Sequence, residues 1–193
     1  MRHPGSTGAI LPSSRALAER LAGDLPLEKG DLVLEYGPGT GPVTAVLDQQ
    51  LITQRGARYL GIELNAGFVD VLRRRYPHLD FAHGSVVDIV ELLRQRGLGR
   101  ARYIVSGLPF ASLPQEVQAG TIGGVLEVLA DTGEFRTFQY VHAYRLPAAQ
   151  RFRRMMGEHF GPVERSRPVV RNIPPAYVLT YRRVGAARNG VKH

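Results

Sequence analysis

The chain has 193 residues, enough for one domain with a real core, and 44% are hydrophobic against 22% charged. It contains no cysteine, which removes disulfides, thiolate metal sites and cysteine nucleophiles, and no run approaches the ~20 apolar residues of a spanning helix. The net charge of +8 is uneven: residues 1–30 carry four basic and three acidic groups, 31–144 ten and twelve, and 145–193 eleven and two. A basic quarter of this kind attracts polyanions, whether RNA, DNA or an anionic membrane surface. The start has no apolar signal core, so a cytoplasmic setting is expected.

Residues 1–8, with Pro4, Gly5 and Gly8, read as a loose start. Pro12-Ser13-Ser14 then offers a helix start with a serine N-cap, and Leu17, Ala18, Leu21, Ala22 and Leu25 follow at helical spacing. The apolar run Leu32-Val33-Leu34 reads as a strand entering Glu35-Tyr36-Gly37-Pro38-Gly39-Thr40-Gly41, with Pro42 at a first helical turn. Glycine lets backbone turn sharply and approach a ligand closely, and the acid two residues earlier suits a positively charged ligand. A second strand over 58–62 ends at Glu63 and Leu64. There a carboxylate can accept both hydroxyls of a ribose, since ligands of open α/β sheets lie beyond the carboxyl ends of the strands. A dinucleotide fold would share that acid, but its fingerprint is GxGxxG and the spacing here is GxGxG.

The alternation continues with a helix over 68–75, a strand over 79–83, a helix over 86–95 and a strand over 102–106. A long helix over 113–129, a strand over 135–141 and a helix over 147–160 come next. Strands over 163–170 and 176–182 close the chain as a pair across Asn172-Ile173-Pro174-Pro175. The pattern predicts one α/β domain with a mostly parallel, Rossmann-like sheet: a helical extension over 1–30, a core over 31–183 and a basic tail over 184–193.

The glycine segment resembles motif I of the class I S-adenosylmethionine-dependent methyltransferases, whose seven-stranded sheet ends in an antiparallel hairpin. The resemblance implies Gly37, Gly39 and Gly41 under the amino-acid end of the cofactor, with Glu35 beside its ammonium. It implies Glu63 at the ribose, Leu64 beside it in the cofactor site, and Gly84 and Ser85 at the adenine, where Asp88 is either a second contact or a helix-capping acid. Ser106 falls next to the sulfonium methyl, followed by Gly107, Leu108, Pro109 and Phe110. Base-directed amino methyltransferases resemble this stretch, but they place a polar side chain where Gly107 stands and stack the following aromatic residue on the base. Gly107 supplies no such oxygen.

Gly8-Ala9-Ile10-Leu11-Pro12-Ser13-Ser14, the glycine loop, Ser106-Gly107-Leu108-Pro109 and Val170-Arg171-Asn172-Ile173-Pro174-Pro175-Ala176 occur together, followed by Tyr181-Arg182-Arg183. This set is similar to the small bacterial phospholipid N-methyltransferases, over about residues 8 to 183, with departures around 140–160. The similarity implies S-adenosylmethionine as cofactor, no metal, and N-methylation of phosphatidylethanolamine towards phosphatidylcholine. Ornithine lipids are the alternative substrate, and ribosomal RNA adenine N6-methylation is the runner-up activity. A protein that binds the cofactor without turnover, or a basic peripheral membrane module, is a reading of a different class.

Methyl transfer to nitrogen needs a neutral amine held in line, so an ammonium substrate must first lose a proton. His142, in Tyr140-Val141-His142-Ala143-Tyr144-Arg145, leaves the fifth strand on the catalytic side, and imidazole suits that task. An extended segment would put Tyr140, His142 and Tyr144 on one side, with the aromatic faces near a cationic head group. Arg145 and Arg171 are candidates for a head-group phosphate, and Leu108 and Pro109 for the substrate wall. Arg151, Arg153 and Arg154 read as a membrane-facing surface, so the protein is expected to dock reversibly on the inner face of the cytoplasmic membrane.

Overall fold

The computed structural model describes residues 13–53 and 56–183. Residues 8–12 of the first quoted segment and the basic tail over 184–193 lie outside them. In chain order the elements are α1 Arg15–Ala22, β1 Leu32–Tyr36, α2 Pro42–Thr53, β2 Arg58–Glu63, α3 Ala66–Arg75, β3 Asp80–His83 and α4 Ile89–Gln95. Then follow β4 Ala101–Ser106, α5 Gln115–Val128, β5 Leu129–Tyr140, α6 Pro147–Gly157, β6 Glu164–Arg165 and β7 Ala176–Arg182.

The strands form one sheet in the order β3-β2-β1-β4-β5-β7-β6. The first five run parallel, and β7 is antiparallel to both β5 and β6. A central parallel strand is covered on both faces, so β1 is buried at every position and reads as an apolar run. Its alternate residues feed two cores. Leu32, Leu34 and Tyr36 join Ile89, Ile122 and Phe152 from α4, α5 and α6. Val33 joins Leu17, Leu47 and Leu72 from α1, α2 and α3 on the other face. The expected α/β architecture and antiparallel ending are therefore present.

Three boundaries differ from the sequence reading, each for a local reason. The predicted strand over 163–170 shrinks to Glu164–Arg165, because Pro168 has no N–H to continue the ladder. Contact with β7 continues through Ser166 and returns in the isolated bridge from Val169 to Ala176. The helix expected over 86–95 opens as a 3-10 turn over Val86–Asp88 before α4 begins. Strand β5 starts at Leu129, well before Phe135, with an irregular register opposite β4 between Ala101 and Tyr103.

The strand order reverses direction between β1 and β4, the place where open α/β sheets bind ligands at the carboxyl ends of their strands. Glu63, Gly37, Ser106 and Tyr140 stand at or just past the ends of β2, β1, β4 and β5 along that edge. No helix among the described residues is long and apolar enough to cross a membrane.

Candidate active site

The glycine loop holds three left-handed glycines, Gly37 at φ 68°, Gly39 at 56° and Gly41 at 88°. These are angles that side-chain-bearing residues rarely adopt. Their surroundings differ. A Cβ on Gly37 would lie 2.4 Å from Cδ2 of Leu108, whereas one on Gly39 would meet nothing within 4 Å. Gly39 therefore faces open space, and a ligand can approach its backbone. The chain's own bonds hold the loop: the Gly37 N–H donates to the Ile62 carbonyl at 2.9 Å, and the Gly41 N–H donates to the Pro38 carbonyl at 2.9 Å.

Glu63 is buried at the end of β2, and its carboxylate accepts the Gly39 N–H at 3.0 Å and the Asn65 N–H at 2.8 Å. The carboxylate stands over the glycine loop, and its oxygens keep lone pairs for two further donors. Leu64 beside it is 72% exposed, and the Gly84 N–H donates to the Glu63 carbonyl at 3.0 Å, which brings the loop after β3 against the end of β2. Ser85 accepts the Val87 N–H at 3.2 Å and caps the 3-10 turn. Asp88 occupies the cap position of α4 without a side-chain cap bond.

Glu35 lies beneath the loop, fully buried. Its Oε2 accepts the Thr44 hydroxyl at 2.9 Å and the Tyr59 hydroxyl at 2.6 Å, so the carboxylate ties β1 to α2 and β2. Burial pushes its pKa from 4.5 up to about 7, opposed by the Tyr59 and Thr44 hydrogen bonds and aided by the nearby Glu63 charge. Thr44 and Tyr59 were not singled out from the sequence, where a threonine in a first helical turn and an aromatic residue in a strand carry no signal.

At the end of β4, Ser106 is buried and accepts the Leu108 N–H at 3.3 Å. The Gly107 N–H donates to the Tyr36 carbonyl at 2.8 Å, and a Cβ on Gly107 would lie 2.8 Å from the Gly37 carbonyl oxygen. Glycine stands there because the two loops touch. Pro109 leads into a 3-10 turn, and Phe110 is fully buried, stacked on Phe152 with ring centroids 4.4 Å apart. Phe110 belongs to the core, not to a surface on which a base would stack.

At the end of β5, the Tyr140 ring is nearly parallel to that of His142, at 5.6 Å and 13°. Burial raises the Tyr140 phenol above its ordinary pKa of 10, so it stays protonated at neutral pH. The expectation that Tyr144 shares this side fails. The chain turns over 141–145, with the Ala143 N–H donating to the Tyr140 carbonyl and the Tyr144 N–H to the Val141 carbonyl, so strand alternation no longer applies. Tyr144 packs instead against Tyr177 at 5.0 Å and under the Arg153 guanidinium at 3.8 Å. Arg153, expected on an outward basic surface, is half-buried and held inward: it donates to Gln139 at 2.6 Å and to the Tyr144 carbonyl at 2.8 Å. Arg145 and Arg171 are exposed beside this region.

No protein-family model matches the chain. It is 34% identical over 137 residues to an ornithine lipid N-methyltransferase of Singulisphaera acidiphila, covering 69% of this chain and 70% of that one. The chain belongs to the ornithine lipid N-methyltransferase family. The chain is also 30% identical over 101 residues to a ribosomal RNA small subunit methyltransferase A of Geobacter metallireducens. That match covers 50% of this chain and 34% of the relative. In fold, the chain matches a Streptococcus mutans methyltransferase solved with S-adenosylhomocysteine, at a TM-score of 0.62 and 14% identity. The likeness covers 87% of this chain and 96% of that one.

One residue of the Val170–Ala176 segment, quoted in the sequence without a role of its own, braces this edge of the sheet. Asn172 is buried, accepts the Ser14 N–H at 2.9 Å and donates to the Pro174 carbonyl at 2.7 Å. It thereby ties the segment entering α1 to the loop entering β7, two stretches that the sequence reading paired only by their co-occurrence.

Proposed function

We propose that this chain N-methylates the amine of a membrane lipid head group, phosphatidylethanolamine in the first reading and ornithine lipid in the second. The observation that carries the proposal is the 34% identity to the ornithine lipid enzyme. The acceptor side agrees with it. Gly107 offers no side-chain oxygen for a base amine and Phe110 is enclosed in the core, which disfavours RNA adenine as substrate.

The residues fit S-adenosylmethionine. Gly39 leaves space where a Cβ would stand, and Glu63 retains acceptor capacity for ribose hydroxyls beside it. Gly37, Gly39 and Gly41 would hold the amino-acid end, Glu35 below them would favour its ammonium, Leu64, Gly84 and Ser85 would flank the adenine, and Ser106 would stand beside the sulfonium. When bound, the cofactor supplies a methyl group already activated by the sulfonium charge. Leu108 and Pro109 would wall the acceptor and exclude water. His142 would accept the ammonium proton. Tyr140, kept protonated by burial, would orient the amine through its hydroxyl, not act as base. Arg145 and Arg171 would bind the anionic part of the head group. The substrate's location implies reversible association with an anionic membrane surface through the basic last quarter.

The test supplies labelled S-adenosylmethionine with vesicles containing phosphatidylethanolamine, vesicles containing ornithine lipid, or total RNA, and separates the products. Label in an extracted lipid supports the proposal and names the lipid. Label in RNA alone overturns it.

A further inference from the structure

The turn after β5 and the loop before β7 meet at the carboxyl edge of the sheet, where the Val141 N–H donates to the Pro175 carbonyl at 2.8 Å. Four apolar side chains stand out from this pair of loops: Val141 and Leu146 on the first, Val170 and Ile173 on the second. Val170 is 70% exposed and Ile173 80%. The second loop is not loosely held, because the buried Asn172 side chain is bonded to Ser14 and Pro174 between those two exposed residues.

The charges around the tip are of one sign. Arg145 adjoins Leu146, Arg171 adjoins Val170, and Arg167 lies on the same loop, all exposed and without an ion-pair partner among the described residues. The sequence has no acid over 141–157 or 165–183. Two other arginines of the basic quarter are paired: Arg182 with Glu134 and Glu164, and Arg183 with Asp131. Those pairs sit at the far end of β7 from this tip.

Single exposed apolar residues are ordinary on protein surfaces, but four on two joined loops ringed by arginine fit a specific occupant. A nucleic acid would engage the arginines and gain nothing from Ile173 and Val170. An anionic bilayer accepts both, with apolar side chains at the acyl boundary and guanidiniums at the phosphate level.

We propose that this two-loop tip docks the protein on anionic phospholipid bilayers and brings the Tyr140 and His142 side of the site to the membrane. The proposal rests on the lipid-amine reading for its purpose, not for its measurement. The test sediments the full chain with sucrose-loaded vesicles of phosphatidylglycerol and phosphatidylcholine. It compares wild type, a Val170→Asp/Ile173→Asp double variant and Leu146→Asp, each checked for an unchanged thermal midpoint. Lipid methylation is measured in parallel on substrate dispersed in detergent micelles. The expected result is at least a tenfold loss of vesicle binding in the double variant, with micellar activity within twofold of wild type. Equal sedimentation of the double variant and wild type overturns the proposal, and so does a wild type that fails to sediment while methylating micellar lipid. Parallel loss of micellar activity in well-folded variants also overturns it, because the loops then belong to the reaction site. Lost sedimentation with no lipid methylated by any form supports the docking surface and removes the lipid-amine reading instead.

Discussion

Replacing Glu35 by glutamine isolates one buried proton. The side chain is fully enclosed and accepts two hydroxyl hydrogen bonds on one oxygen, which a glutamine oxygen also accepts. Its pKa rises on folding from 4.5 to about 7, so between those values the folded chain binds more protons than the unfolded one. The unfolding free energy therefore falls as pH rises through that window. Stability from the neutral carboxyl is fully present below pH 4.5 and lost above about 7. At about 1.36 kcal/mol per pH unit, wild type should lose about 2–3 kcal/mol relative to Glu35→Gln between roughly pH 5 and 8.5. The new amide N–H bonds carry a cost of their own, but it is the same at each pH and cancels in the comparison. Urea unfolding of both proteins at several pH values reads the difference directly. A difference constant within about 0.5 kcal/mol would refute the reasoning, since the carboxyl would then titrate alike in both states. A bound ammonium favours the charged carboxylate, so affinity for S-adenosylmethionine should rise with pH through about 7 in wild type and stay flat in the variant. Parallel affinity profiles would leave Glu35 an internal brace only.

Four further outcomes are expected. Gly37→Ala should lower stability by about 2–4 kcal/mol through its left-handed φ and the clash with Leu108, measured by urea unfolding. Gly39→Ala, with space around it, should cost about 1–2 kcal/mol of stability but at least tenfold in S-adenosylhomocysteine affinity by calorimetry. His142→Ala should lower kcat by about 100-fold or more with cofactor affinity unchanged, and the loss should shrink at high pH where the amine is already neutral. Asn172→Ala should lower stability by about 1–3 kcal/mol, since it leaves the Ser14 N–H and the Pro174 carbonyl without their partner, and a thermal scan checks it.

The parts legible in the sequence were those written in neighbouring residues. Apolar runs gave the parallel strands, and a glycine triplet after the first of them located the loop and its edge of the sheet. What escaped was written across distance. Gly107 reads as a missing functional group until the Gly37 carbonyl is seen 2.8 Å from where its Cβ would be. Thr44 and Tyr59 acquire meaning only when the sheet brings them to Glu35. Tyr144 reads as a neighbour of Tyr140 and His142 only if alternation continues past Tyr140, whereas backbone bonds within 140–146 already turn the chain. Arg153 reads as surface charge beside Arg151 and Arg154, yet Gln139 on β5 and the Tyr144 carbonyl hold it inward.

The bond from the Gly39 N–H to Glu63 has a kinetic consequence. A glycine-rich segment that became ordered only around its ligand would lose its freedom at the moment of capture, and that loss would weaken and slow association. Here the conformational freedom is lost when β1 and β2 pair. An arriving molecule then meets a glycine segment already shaped, and ordering that segment adds no step to the encounter.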